Sequence, residues 1–273
     1  MRNKTAKHVL FFTASGCVIA MLFGLLMLLS ILSTYTAGAE LTTALTQHIT
    51  VPQPLEQQAC TPDDPAEEPA AREEFTLPYW VTLPEVDFEA LRAINPNVVA
   101  WIIVNGTPIN HPVVQGTNNY HYLNHLFDGR RGATGTIFKD TYNRPGFVDD
   151  NSILYGHHMQ DGSMFAALLH YESQAFFDAH PWGFLLTPTG NYALEFFAGH
   201  TTTVASPSWR IQFADDIEMQ HWLAETRAQS YFHSDLDVQA HHRIVTLATC
   251  TTSWEFSDAR FVLLARLLPV AAH

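Results

Sequence analysis

The run RIVTLATC (243–250) ends on Cys250, one of three cysteines in the chain, and ten residues later Arg260 opens a second apolar run, RFVLLARL (260–267). Ile244, Thr246, Ala248 and Cys250 alternate with Val245, Leu247 and Thr249, which is the two-residue period of a strand. A thiol at the end of a strand stands where sheet gives way to loop, so it can reach solvent while the strand holds its place. If the two runs pair as a hairpin, Cys250 and Arg260 stand at the same end of neighbouring strands. A fixed cation there favours thiolate over thiol, whose reference pKa is about 8.5, and a guanidinium can hold a substrate carbonyl or an oxyanion. The same residues also allow an inert reading, a buried cysteine beside an ion pair of Arg260 with Asp258 or Glu255.

A nucleophilic thiol needs a proton-transfer partner, most often an imidazole. The chain has fifteen histidines, but those in NSILYGHHMQDGSMF (151–165) stand apart. There an apolar strand-like run passes through Gly156 into His157 and His158, followed by a turn and a helix-like stretch. A histidine at a strand end has the fixed placement that general acid–base catalysis requires. His241 and His242 precede their strand and read as surface residues, whereas His111, His121 and His125 lie among aromatic residues, as core or groove. Clustered histidines could instead bind a metal. The chain has no C-x-x-C and no H-E-x-x-H, and adjacent histidines seldom share one ion with good geometry, so no metal site is expected.

These groups need a rigid frame, and the chain is long enough to build one. Its 273 residues are 47% hydrophobic and 15% charged, which excludes a wholly disordered chain and leaves room for one good-sized domain. A net charge of −13 argues against nucleic acid as a partner. Short β-like runs recur at 98–104, 109–115, 134–140, 151–156, 182–188, 192–205, 243–250 and 260–267, several separated by turn pairs such as Asn105-Gly106 and Thr189-Gly190. Many short strands with few helices predict a mixed or closed antiparallel sheet. Helices are expected at 86–97, where Val86, Leu91 and Ile94 keep helical spacing, at 163–171, and at 215–230, where Ile217, Trp222 and Leu223 form a stripe.

The N-terminus carries a different message. Arg2, Lys4 and Lys7 precede an uncharged apolar stretch from Val9 to Leu32, long enough as a helix to cross a hydrocarbon core of about 30 Å. The basic side sets an N-in, C-out orientation. The competing reading is a cleaved signal peptide, since Ala37-Gly38-Ala39 resembles a small-residue cleavage site, although the apolar run exceeds the usual h-region of about 7–15 residues. Either way the bulk of the chain is exported, where Cys250, as a single thiol in the globular part, is open to oxidation and suggests a use. The organisation expected is a basic cytoplasmic tail (1–8), a membrane helix (9–32), a Pro-, Ala- and acid-rich stalk (33–82) that includes Cys60, and a catalytic domain (83–273).

TLATC with an arginine ten residues after its cysteine resembles the sortase signature T-L-x-T-C with its downstream Arg. ILYGHHMQDGSMF (153–165) is similar to the histidine segment of class B sortases, and FEALRAINPNVVAWIIVNGTPINHPVVQGTNNYHYLNHLFDG (88–129) to their N-terminal region. The resemblance spans roughly residues 83 to 268, with three separate motifs in the right order. Two departures stand out: His158 replaces the usual Asn, and His111 replaces the usual aromatic before Pro112.

The resemblance implies a mainly β (α+β) fold, a closed sortase-type β-barrel with an N-terminal helix and an extra helix before the cysteine strand. It also implies transpeptidation. Cys250 would attack the carbonyl of a C-terminal sorting signal on an exported protein to form a thioester, and an amine of a peptidoglycan precursor would resolve it. His157 would serve as acid and base, and Arg260 would hold the substrate backbone or the oxyanion. Thr249 and His158 would contact the substrate, and Asp258 would orient Arg260. No cofactor is implied. Two other readings of the residues remain: an exported thiol hydrolase, or a membrane-anchored binding protein without catalysis.

Overall fold

The computed structural model describes residues 2–50, 73–78, 81–250 and 258–271. The chain opens with α1 (Arg2–Leu45), then a short strand β1 (Ile49–Thr50) that pairs with β2 (Glu85–Val86), and α2 (Phe88–Ile94). The strands β3 (Val98–Val104), β4 (Asn110–Val114), β5 (Ile137–Lys139) and β6 (Asn151–Tyr155) follow, then α3 (Gln174–Ala179). The chain continues through β7 (Trp182–Thr187), β8 (Gly190–Thr203), α4 (Asp216–Ala228), β9 (Arg243–Cys250) and β10 (Ala259–Pro269). Strands β3 to β10 close into one barrel in the order β10-β8-β7-β3-β4-β5-β6-β9. Closure leaves no open sheet edge. Most neighbours are antiparallel, but β4 with β5 and β6 with β9 run parallel.

The barrel interior is filled by alternate residues: Ala100, Ile102 and Val104 of β3, Val245 and Leu247 of β9, and Phe261, Leu263, Ala265 and Leu267 of β10 share one apolar cluster. Both faces of these strands are covered, so the sequence reads as nearly unbroken apolar runs rather than strict alternation. On one outer face α4 lays Met219, Trp222 and Leu223 over Phe197, Ile244, Val262 and Leu264. Asp215 caps that helix, its carboxylate accepting the Glu218 amide at 2.9 Å. On another face Leu91 of α2 and Leu45 of α1 pack with Trp101, Phe138 and Phe184.

Several expectations are corrected. The buried stripe of α4 is Met219, Trp222, Leu223 and Thr226, while Ile217 is 69% exposed; counting i, i+3, i+4, i+7 from Met219 places Ile217 on the other side. In α2 only Leu91 is buried, Ile94 is exposed, and Val86 belongs to β2. The helix expected at 163–171 begins later, as a 3-10 stretch from Ala166 to Glu172. The turn at Asp161-Gly162 and the left-handed backbone of Met164, at φ 56°, delay it. His242 is buried rather than on the surface, because Nε2 meets the Glu73 carboxylate at 2.9 Å while Nδ1 accepts the Gln239 amide.

Part of the expected stalk is ordered. Residues 33–45 continue α1, and Gly38 and Leu45 are buried against the domain. Phe75 bridges to Val270 beyond β10, its amide donating to the Pro269 carbonyl at 2.8 Å. The stretch 51–72, with Cys60, lies outside the described residues. From Ile19 to Leu29 the large apolar side chains of α1 are at least half exposed. Among the described residues no helix is long and apolar enough to cross a membrane.

Candidate active site

Strand β9 ends on Cys250 between two neighbours. On one side β10 runs antiparallel, and the backbone of Arg260 is the register partner of Cys250. On the other side β6 runs parallel, with Tyr155 opposite Ala248, and the Gly156 amide donates to the Ala248 carbonyl at 3.1 Å. Two residues beyond Tyr155 comes His157, and two beyond Ala248 comes Cys250. The antiparallel register sets Arg260 beside Cys250, and the parallel pairing, which ends at Tyr155 and Ala248, sets His157 level with Cys250 when continued by two residues. One rim of the barrel collects all three.

The His157 mount is rigid for local reasons. Gly156 lets the chain pass directly against Phe165, since a Cβ on Gly156 would stand 2.6 Å from the ring. The following loop closes on itself: the Phe165 amide donates to the His157 carbonyl at 3.0 Å, and His158 bridges to Met164. His157 Nε2 lies 2.7 Å from the Leu123 carbonyl oxygen. A carbonyl can only accept, so Nε2 carries a proton and Nδ1 is the nitrogen left for proton transfer. No residue type announces a backbone carbonyl, which is why nothing in the amino-acid pattern pointed to Leu123.

Arg260 is half-buried, its Nη1 donating to the Ala259 carbonyl at 2.9 Å, and its backbone faces Thr202 of β8 on the other side. Asp258 is exposed in the turn just before β10. Thr249 is buried, paired in register with Phe261 of the interior cluster, and its Oγ1 has no hydrogen-bond partner among the described residues. His158 is half-buried; its Nδ1 likewise lacks a partner among the described residues, and burial holds its pKa below the ordinary value, which keeps the ring neutral. Outside the rim, Tyr155 donates to Asp140 at 2.8 Å, and its ring lies 6.1 Å from that of Trp209. This aromatic wall beside the rim also went unread in the sequence, because Trp209 comes from the loop between β8 and α4.

The other histidines lie elsewhere. His121 and His125 stack at 4.0 Å on the surface. Among the described residues, Glu73, His241 and His242 bring three potential metal ligands within 4.8 Å. They stand at the opposite end of β9 from Cys250, and the Glu73 oxygen that meets His242 also accepts from Arg266 at 3.0 Å. With both His242 nitrogens bonded as well, this is an ion-pair network rather than an open ligand set.

No family model matches the chain. Sortase B of Staphylococcus aureus is 36% identical over 184 residues, 67% of this chain and 75% of that protein. Sortase B of Listeria monocytogenes is 34% identical over 178 residues, 65% of this chain and 72% of its own. The chain belongs to the class B sortases. Solved structures agree: the Staphylococcus aureus sortase B–substrate complex and a sortase B complexed with triglycine each superpose with a TM-score of 0.64 at 36% identity. Both cover 67% of this chain, and 85% and 86% of their own chains respectively. This sortase is thus a cysteine transpeptidase on an eight-stranded closed barrel.

Proposed function

We propose that Cys250 is the nucleophile, His157 the proton-transfer group and Arg260 the electrophilic clamp of this transpeptidase. The observation that carries the assignment is the pairing at the end of β9: Arg260 is the register partner of Cys250, and the β6–β9 pairing ends at Tyr155 and Ala248, two residues before His157 and Cys250. Cys250 gives its thiol proton to Nδ1 of His157 as its sulfur attacks the carbonyl carbon of the scissile peptide bond, and the electron pair of the C=O moves onto oxygen. Arg260 bears on that oxyanion or on the adjoining substrate backbone. Collapse expels the amine, which takes its proton from His157, and leaves a thioester. An incoming amine then gives a proton to His157 as it attacks the thioester carbon, and the departing sulfur takes that proton back to restore the thiol. His158 contacts the peptide beside this centre and Asp258 orients Arg260, whereas Thr249, expected to line the peptide groove, is buried on the barrel-interior face and packs there.

The donor is an exported protein with a C-terminal sorting signal, and the acceptor is an amine of a peptidoglycan precursor. Support comes from a relative solved as a substrate complex and from a sortase B complexed with triglycine, a peptide with a terminal amine. The apolar stretch Val9–Leu32 is a single-pass anchor with the N-terminus inside, the tail being 1–8 and the catalytic domain 83–273. Side chains exposed all round the helix from Ile19 to Leu29 support this, since such a surface is stable only in an apolar medium. The six residue steps of helix from Leu32 to Gly38, about 9 Å, hold the domain close to the bilayer.

The test is a sorting-signal peptide incubated with the enzyme, with and without triglycine, followed by mass spectrometry. The expected result is a thioester on Cys250 that resolves into a glycine-extended product, with neither species from Cys250→Ala. Release to water alone, unchanged by triglycine, would make the protein a hydrolase.

A further inference from the structure

Gly38, Leu41, Thr42 and Leu45 recur at helical spacing along the last turns of α1. Gly38 is buried so closely against the domain that a Cβ would stand 2.4 Å from Thr134 Oγ1 and 2.9 Å from its Cγ2. Next to this contact a cavity of about 210 Å³ separates Ala39 and Thr42 from Asp161, Ser163 and Met164. The helix end therefore rests on the segment 134–136 and faces the segment 161–164 across the cavity.

Both segments support His157. In the first, Gly135 has φ 58°, and a Cβ there would meet the carbonyl oxygens of Tyr122 at 2.4 Å and Leu123 at 2.8 Å. The Thr136 amide donates to the Tyr122 carbonyl at 2.9 Å, so this segment backs the turn whose Leu123 oxygen accepts from His157. In the second, Met164 is buried, holds a left-handed backbone and bridges to His158, the neighbour of His157. Neither segment is a regular strand or helix over these residues. The first is covered by the end of α1.

We propose that the last two turns of α1, seated by Gly38 on Thr134, are a positioning element for His157. Through Thr134–Thr136 the helix fixes the turn that carries the Leu123 carbonyl, and so holds the imidazole at its working angle. The inference rests on the reading of His157 as the proton-transfer group.

The test uses the full chain in detergent micelles, with turnover of a sorting-signal peptide to triglycine. Gly38→Ala favours the helix intrinsically but forces it off Thr134. It is expected to lower kcat at least roughly tenfold with KM for the peptide unchanged. It should also remove the hydrogen-bonded Nε2–H signature of His157 in nitrogen-15 NMR. Adding Thr134→Ala to Gly38→Ala removes the colliding Oγ1 and Cγ2 and should restore both, while Ala44→Ser on the exposed face changes neither. Parent-like kcat and NMR signature in Gly38→Ala, or a kcat loss no larger than its loss of folded protein, would overturn the proposal. Turnover by His157→Ala in the same assay would be a different failure, striking the site assignment itself.

Discussion

Arg260 and Cys250 are register partners at the open end of the β9–β10 pair. Counting down the same ladder, Val262 pairs with Ala248 and Leu264 with Thr246, and Ala248, Val262 and Leu264 all lie in the outer layer under α4. The pairing of Arg260 is thus the last step of a ladder anchored by packed residues, and the position of its guanidinium stem is set by the sheet rather than by the turn.

Arg260→Lys keeps the charge but loses the planar fork. The expected outcome is a fall in kcat of roughly 10²–10³, with a melting midpoint close to the parent because the stem still fills the same place. Steady-state kinetics beside a thermal melt decide it, and wild-type turnover in the lysine variant would remove Arg260 from the chemistry.

Gly156→Ala places a methyl group 2.6 Å from the Phe165 ring. Overpacking of this kind costs about 1–3 kcal/mol and displaces His157 together with its loop. Lower activity and lower stability are both expected. Trimming the obstacle with Phe165→Leu should recover part of the activity, and no recovery would mean that the glycine matters for another reason.

His111 and His200 are 7% and 2% exposed, and burial pushes both down to about 4. Below about pH 6.5 the unfolded chain takes up protons at these rings that the folded chain refuses. Their contribution is therefore intact above about pH 6.5, falls as pH drops towards 4, and falls no further below that, each ring accounting for a loss on the order of 3 kcal/mol. Urea unfolding at a series of pH values should show a flatter decline in His111→Gln and His200→Gln than in the parent. Parallel curves would refute the assignment.

Trp222 is 4% exposed and donates from Nε1 to the Pro207 carbonyl at 3.2 Å, with its ring 5.0 Å from that of Phe213. Trp222→Ala should cost about 3–5 kcal/mol, measured as the shift in unfolding free energy. A change under about 1 kcal/mol would show that α4 is a weakly held cover.

The strands were the most legible part of the chain. β3 and β9 coincide end to end with apolar runs read at 98–104 and 243–250, because barrel strands covered on both faces leave an unbroken hydrophobic signature. The three candidate residues were singled out because a thiol, an imidazole and a guanidinium each stand at or next to the end of such a run. What could not be read were the contacts made by backbone or across long separations. Leu123 acts through its carbonyl, which every residue has. His242 is buried because of Glu73, 169 residues away in sequence. The docked end of α1 was hidden by composition: its small and polar residues read as a stalk, although Gly38, Leu41 and Leu45 keep a helical period.

The pairing of β6 with β9 joins residues about ninety positions apart, and parallel neighbours cannot be linked by a simple hairpin. Such a seam forms late, because the entropy of closing so long a loop must be met before its contacts form. On the proposed assignment, a chain without this seam has not yet brought Cys250 and His157 to one rim. On that assignment turnover itself reports whether the barrel is shut.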